Sequence, residues 1–297
     1  MLLTRHAIRP STPKREDTLL SYRHSFHAGN FADIIKHVVL SEALDHLAKK
    51  EAPFEYVDTH SGAGLFNLHS SDAKKLQEHS DGIDKLKAGD FPELSRYFEA
   101  IDASNTSKNT KTYPGSPSVA TYFMRPQDRA WLYELHPRDY QSLSKNMGNN
   151  RKIRVACEDG LKALQSVLPP ISRRGLVLID PSYEVKSEYD QVVDALVNAH
   201  KKFSTGTYIV WYPVVDRRQI DVLEKKIVRS GIKNIQRFEL GISPDTKERG
   251  MTSSGVFVVN PPWTLFDKMS AVLPRLARAL GKTDELLFKC EILTAER

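Results

Sequence analysis

Gly175-Leu176-Val177-Leu178-Ile179-Asp180-Pro181-Ser182-Tyr183 is the stretch that decides how this chain folds. Five apolar residues without polar alternation read as a strand buried on both faces, the form strands take inside a parallel sheet. The Asp-Pro that follows stops the strand, because proline brings no N–H to a ladder and steers the residue before it. A strand ending in Asp-Pro is by itself an ordinary turn. Its meaning comes from the strands around it.

Upstream, Phe54-Glu55-Tyr56-Val57-Asp58 runs into Thr59-His60-Ser61-Gly62-Ala63-Gly64, a short strand entering a small-residue loop. Glycines there let the backbone approach a ligand closely. Ala130-Trp131-Leu132-Tyr133-Glu134 reads as a second strand tipped by an acid, suited to accept hydrogen bonds from ribose hydroxyls. A third, Lys152-Ile153-Arg154-Val155-Ala156, precedes Asp159-Gly160, where groups that hold an adenine edge are expected. Four strand ends in this order suit an S-adenosylmethionine (SAM) site. The competing readings fail on named residues. A phosphate-binding P-loop requires Gly-Lys-Ser/Thr, and Leu65-Phe66 follow Gly64. A nicotinamide site requires three spaced glycines and an acid about twenty residues on, and Glu134 lies far beyond that. Standing alone, the glycine loop would be a strand-to-helix turn.

The rest of the chain alternates helices and strands, which predicts one α/β domain over 21–297 with a mostly parallel sheet. Ile34, Ile35, Val38, Leu44 and Leu47 predict a helix over 32–49 facing the sheet, with Lys36 and Asp45 on its other side. Residues 65–112 carry two weakly amphipathic stretches, 73–87 and 92–101, and a polar run from Ser104 to Asn109. They are expected to form a helical insertion after the first strand. Helices are predicted over 189–203 and 217–230 and a strand over 207–212. Strands over 235–242 and 254–259, with no long helix between them, predict an antiparallel hairpin at the sheet edge. The expected architecture is a Rossmann-like, seven-stranded class I SAM-dependent methyltransferase sheet. Ligands of such sheets lie across the strand C-terminal ends.

Composition limits the alternatives. With 297 residues, 40% hydrophobic and 27% charged, the chain has enough apolar material for a sizeable core. A formal charge of +6 suits a polyanionic partner and does not establish one. Cys157 and Cys290 are the only cysteines and lack metal or disulfide spacing. No run approaches the roughly twenty apolar residues that span a bilayer, and no secretory signal precedes residue 20. A cytoplasmic protein is expected, with 1–20 a leader lacking fixed structure.

Asp180-Pro181-Ser182-Tyr183 resembles the Asp-Pro-Pro-Tyr signature of base-amine methyltransferases, in which the acid and a backbone carbonyl hold an exocyclic amine while the aromatic ring stacks on a flipped base. A second tetrapeptide, Asn260-Pro261-Pro262-Trp263, matches that signature more literally but ends the seventh predicted strand. Asp180 ends the fourth, beside the switch point of the sheet. Asp180 is therefore preferred, and Asn260 is taken as a turn residue.

A wider resemblance follows from Ser21-Tyr22-Arg23-His24-Ser25-Phe26-His27-Ala28-Gly29-Asn30, Asp33, Lys36-His37, Asp58-Thr59-His60, Tyr113-Pro114-Gly115-Ser116-Pro117, Glu134-Leu135-His136-Pro137, Pro170 to Gly175 and Trp211-Tyr212-Pro213. Together these resemble the RlmJ family, bacterial adenine-N6 methyltransferases of 23S ribosomal RNA. The resemblance implies that His37, His60, Ser116, Glu134, Asp159 and Gly160 surround SAM, and that Asp180 is catalytic. It places Tyr22, His24, Lys36, Pro181 and Tyr183 on the substrate side. Protein-free or early-assembly 23S rRNA is the implied substrate. Ser182 departs from the family pattern, where proline is usual.

Outside that resemblance, Tyr22 reads as a core aromatic, Lys36 as a solvated helix charge and Ser116 as a turn residue. His24, His27 and His37 lack an acid or cysteine at ligand spacing, so no metal is expected. The alternatives are a DNA adenine-N6 methyltransferase, a nucleic-acid-binding protein that retains SAM without turnover, and a small-molecule methyltransferase. The last leaves the 22–37 block without a purpose.

Overall fold

The computed structural model describes residues 26–105, 111–246 and 250–296. The expected leader at 1–20 lies outside the described residues, as do Tyr22 and His24. The chain runs through α1 (Phe31–Ala48), β1 (Glu55–Asp58), β2 (Leu65–Asn67), α2 (Ser71–Leu76), α3 (Ser95–Ala103), β3 (Thr112–Pro114), α4 (Ser116–Phe123) and β4 (Arg129–Tyr133). It continues through α5 (Pro137–Met147), β5 (Ile153–Ala156), α6 (Gly160–Val167), β6 (Gly175–Ile179), α7 (Glu188–Lys202), β7 (Thr207–Val214), α8 (Arg217–Arg229), β8 (Ile235–Gly241), β9 (Ser253–Val259), α9 (Leu265–Leu280) and β10 (Phe288–Thr294).

Eight strands form one sheet in the order β10-β8-β9-β7-β6-β1-β4-β5. The five strands β5, β4, β1, β6 and β7 are parallel, and β9, β8 and β10 continue the sheet in antiparallel pairs. Every residue of β6 is buried, as its unbroken apolar run requires in the middle of a two-faced sheet. Crossovers lead outward from β1 through α4 to β4 and through α5 to β5. The return through α6 to β6 and through α7 to β7 places those helices on the other face. α1 packs on α3, α4 and α9, while α7 packs on α6 and α8. The winding reverses between β1 and β6, where a crevice opens at the strand ends.

Two expectations need correction. The sheet has eight strands, because β10 adds to β8 beyond the predicted hairpin. Its burial is patchy and Ile292 is 58% exposed, so the segment lacks the apolar run that marks an inner strand. Residues 65–112 are also not purely helical. β2 and β3 pair at the two ends of the segment, and the expected helix at 73–87 breaks after α2, where Gln77 takes φ 51°. Short 3-10 turns follow. A Cβ on Gly82 would stand 2.1 Å from the Gly29 carbonyl oxygen, so this contact binds the segment to the start of α1.

α1 is buried almost all round. Asn30 caps it, its side chain accepting from the Ala32 and Asp33 amides. Lys36 is 3% exposed and not a solvated charge. The partners it finds there define the site.

Candidate active site

One cavity of about 560 Å³ lies across the C-terminal ends of the parallel strands. Residues after β1, β4, β5 and β6 line it, among them His60, Glu134, Asp159, Gly160, Asp180, Pro181 and Tyr183. Lys36 and His37 enter from α1 and Ser116 from the start of α4. Every site residue expected from the sequence that lies among the described residues is therefore in one place.

The loop after β1 is shaped by two left-handed glycines, Gly62 at φ 56° and Gly64 at φ 75°, a region costly for other residues. Parallel pairing extends into the loop, the Thr59 amide donating to the Leu178 carbonyl at 3.1 Å and the Ser61 amide to the Tyr133 carbonyl at 2.8 Å. Glu134 accepts the Gly62 amide at 2.7 Å on one oxygen and the His136 amide at 2.7 Å on the other. Burial pushes its carboxyl up to about 7, against those two hydrogen bonds. Gly160 opens α6 with Asp159 as its cap. A Cβ there would meet the Thr59 carbonyl oxygen at 2.1 Å, so two strand ends meet through glycine. Burial holds the His60 imidazole down to about 4. Its Nδ1 lies 2.8 Å from Thr59 Oγ1.

At the floor, Asp58 Oδ2 accepts from Tyr56 Oη and Ser116 Oγ, each at 2.7 Å. Burial pushes the Asp58 carboxyl up to about 6 against these bonds. Lys36 Nζ stands 2.7 Å from Asp180 Oδ2 and 3.0 Å from Asp33 Oδ1. Burial alone would lower this ammonium's pKa, but Asp180 and then Asp33 outweigh it and hold the group charged. Asp33 in turn accepts the Gly29 amide at 2.9 Å. Lys36 also lies 5.7 Å from the Trp211 ring centroid.

Tyr183 takes φ 55° and is 9% exposed. Its hydroxyl donates to the Trp211 carbonyl at 2.7 Å, and its ring stands 4.4 Å from that of Tyr189. A left-handed tyrosine is an uncommon backbone state, of the kind that collects at functional sites. His27 pairs with Glu78 at 3.0 Å. Among the described residues, no three His, Cys, Asp or Glu side chains group as metal ligands, and no helix is long and apolar enough to cross a membrane.

Asn260 lies at the opposite edge. β9 runs antiparallel to β7, so Val259 pairs with Tyr208 at the start of β7. The Asn260 side chain donates to the Ser204 and Gly206 carbonyls, both at 2.8 Å, and lines a separate groove with Gly175 and Thr207. It is a turn residue, as strand counting anticipates.

Behind the wall stand Asp58 and Tyr113, which the sequence motifs contain without assigning them a role, and Tyr97, which they do not contain. Tyr97 falls in the amphipathic stretch 92–101 and Tyr113 in the Tyr113–Pro117 motif, and neither local pattern carries a signal of the hydrogen bonds they make.

A mostly parallel sheet whose switch-point cavity is walled by a glycine loop and acid-tipped strands defines a methyltransferase of the α/β class. Comparison with known proteins narrows this: residues 51–287 match the family described as Ribosomal RNA large subunit methyltransferase D, RlmJ, and the chain belongs to that family. It is 47% identical to the Ribosomal RNA large subunit methyltransferase J of Haemophilus influenzae over 88% of this chain and 94% of that protein. It is 45% identical to the protein of the same name from Escherichia coli, over 87% and 93%. The crystal structure of a Legionella pneumophila protein, 38% identical, superposes with a TM-score of 0.80 over 90% of this chain and 98% of that one.

Proposed function

We propose that the protein transfers the methyl group of SAM to the 6-amino nitrogen of an adenosine in 23S ribosomal RNA. The observation that carries this reading is the Asp180 carboxylate, held 2.7 Å from the buried Lys36 ammonium in the cavity that the glycine loop enters. The names of the H. influenzae and E. coli relatives support large-subunit rRNA as the substrate class.

The residues present fit the cofactor. The cavity has the size of an ordinary ligand pocket, about 300–1,000 Å³. Glu134 accepts one amide on each oxygen, which leaves lone pairs on both for a pair of ribose hydroxyls. The Gly160 contact with Thr59 admits no side chain between the loop and the third strand end. His37, His60, Ser116, Glu134, Asp159 and Gly160 would hold the cofactor, which when bound supplies an electrophilic methyl on sulfonium sulfur.

Asp180 and the Pro181 carbonyl would accept the two N–H groups of the adenine amine, which favours a pyramidal nitrogen and holds it still for transfer. Methylation costs the amine one proton, and Asp180, which would hold that N–H, is the group of this chain placed to receive it and pass it to solvent. The Lys36 ammonium stands 2.7 Å from Asp180 Oδ2, so Asp180 faces the amine with a cation at its back and works first as an acceptor that orients it. Because its ammonium is paired inside the wall, Lys36 acts on the substrate through Asp180 and not as a surface grip on RNA. Tyr183 presents its ring to the flipped base. No step requires a metal.

The test is transfer of labelled methyl from SAM to protein-free 23S rRNA lacking its native modification, followed by nucleoside analysis. N6-methyladenosine from the native protein is expected, with Asp180→Asn at least about a hundredfold slower. Full activity in Asp180→Asn, or a preference for matched DNA in competition, overturns the reading.

A further inference from the structure

Behind the cofactor wall, three buried side chains form a line that no step above uses. His37 Nδ1 lies 2.9 Å from Tyr113 Oη, and Tyr113 Oη lies 3.1 Å from Tyr97 Oη. Tyr97 and Tyr113 are 0% exposed and His37 is 1% exposed. His37 sits on α1 and lines the cavity, whereas Tyr97 on α3 and Tyr113 on β3 flank the end of the segment inserted between β1 and α4. The His37 and Tyr113 rings also stack, with centroids 5.5 Å apart.

Proton counting sets the direction of this line. If His37 Nδ1 carried a proton and donated it, Tyr113 would donate onward to Tyr97. The Tyr97 hydroxyl proton would then have no acceptor, since Tyr113 is its hydrogen-bond partner among the described residues. A buried donor left without a partner costs about 1–3 kcal/mol. In the opposite direction Tyr97 donates to Tyr113 and Tyr113 donates to Nδ1, and every hydroxyl proton is used. An unused lone pair on Tyr97 is the milder loss.

We infer that Tyr97 and Tyr113 are positioning residues that fix His37 as the Nε2–H tautomer, making it an obligate donor to an acceptor oxygen of the cofactor. The inference rests on reading the cavity as the SAM site. It gives residues 65–112 a function: their closing elements set the protonation pattern of a cofactor-binding histidine. Which ring nitrogen carries the proton is decided by what the other nitrogen bonds.

The experiment uses the full chain labelled with [15N]histidine, in which two-bond proton–nitrogen correlations separate the tautomers and His37→Gln assigns the signal. The native protein is expected to show an unprotonated Nδ1 with or without ligand. Tyr113→Phe is expected to give a tautomer mixture and to weaken S-adenosylhomocysteine binding about five- to tenfold, at a kcat within about threefold of native. Tyr97→Phe moves both readouts the same way by a smaller amount. If Tyr113→Phe does not fold, Tyr97→Phe decides. An Nδ1–H tautomer in the native protein overturns the inference, as does a Tyr113→Phe protein with native tautomer and affinity. If S-adenosylhomocysteine binds with this tyrosine dependence but no adenosine is methylated, the substrate reading fails and this inference stands. Methyladenosine formed by a protein in which His37 carries its proton on Nδ1 has the reverse meaning.

Discussion

The Lys36 ammonium holds together carboxylates from two parts of the chain, Asp33 one turn away and Asp180 at 144 residues' separation. Removing one partner of a buried ion pair costs about 3–5 kcal/mol, because a charge stays behind. Lys36→Met is therefore expected to lose about that much stability at pH 8, measured by denaturant unfolding. The loss should shrink at pH 5. Without the ammonium, the folded carboxyls hold protons more tightly than the unfolded ones, so the folded state binds more protons and its stability falls as pH rises. The native ammonium has a raised pKa, so its own contribution is intact throughout this range and is lost only above the ordinary lysine range. Equal losses at both pH values would show that the carboxyls gain no proton affinity. Glu134 gives a second pH test. Its carboxyl, near 7 in the free protein, must be ionised to accept hydroxyls beside the two amides. The dissociation constant for S-adenosylhomocysteine should weaken toward acid, by up to about tenfold between pH 8 and pH 6, and Glu134→Gln should flatten that slope. A flat native profile removes Glu134 from the ribose site.

At the scale of elements, the site is assembled where backbones touch. α6 can start beside the β1 loop because Gly160 has no side chain to strike the Thr59 carbonyl. Gly160→Ala is expected to cost about 1–3 kcal/mol of stability as the two backbones separate, and to weaken S-adenosylhomocysteine binding more than tenfold by calorimetry. Unchanged affinity would mean that the α6 start does not shape the cofactor site. α1 has a comparable role on the other wall. Its buried polar residues Asp33, Lys36 and His37 would be liabilities in an ordinary core helix. Here each has a partner from another element or at the cavity. The apolar spacing in 32–49 announced the helix, yet burial on all sides depends on α3, α4 and α9 closing around it.

At the scale of the molecule, strand direction separates two tetrapeptides of nearly equal local appearance. β6 runs with the parallel set and delivers Asp180 to the cavity, whereas β9 runs against it and delivers Asn260 to the far edge. Asn260→Ala is accordingly expected to leave the methyl-transfer kcat within about twofold of native. It should cost about 1–3 kcal/mol of stability, since the Ser204 and Gly206 carbonyls lose their donor. A large fall in kcat without loss of stability would reopen the assignment of the amine-binding tetrapeptide.

The order of strands, the crevice at their C-terminal ends and the acids that line it were legible in the sequence, because apolar runs, glycine loops and Asp-Pro breaks act through neighbouring residues. The packed chain alone decided that β10 joins the edge, that Lys36 is buried between two carboxylates and that Tyr97 and Tyr113 stand behind His37. Each of these depends on groups distant in sequence meeting in a low-dielectric interior, where a charge or hydroxyl must find a partner and no local pattern records which one it is.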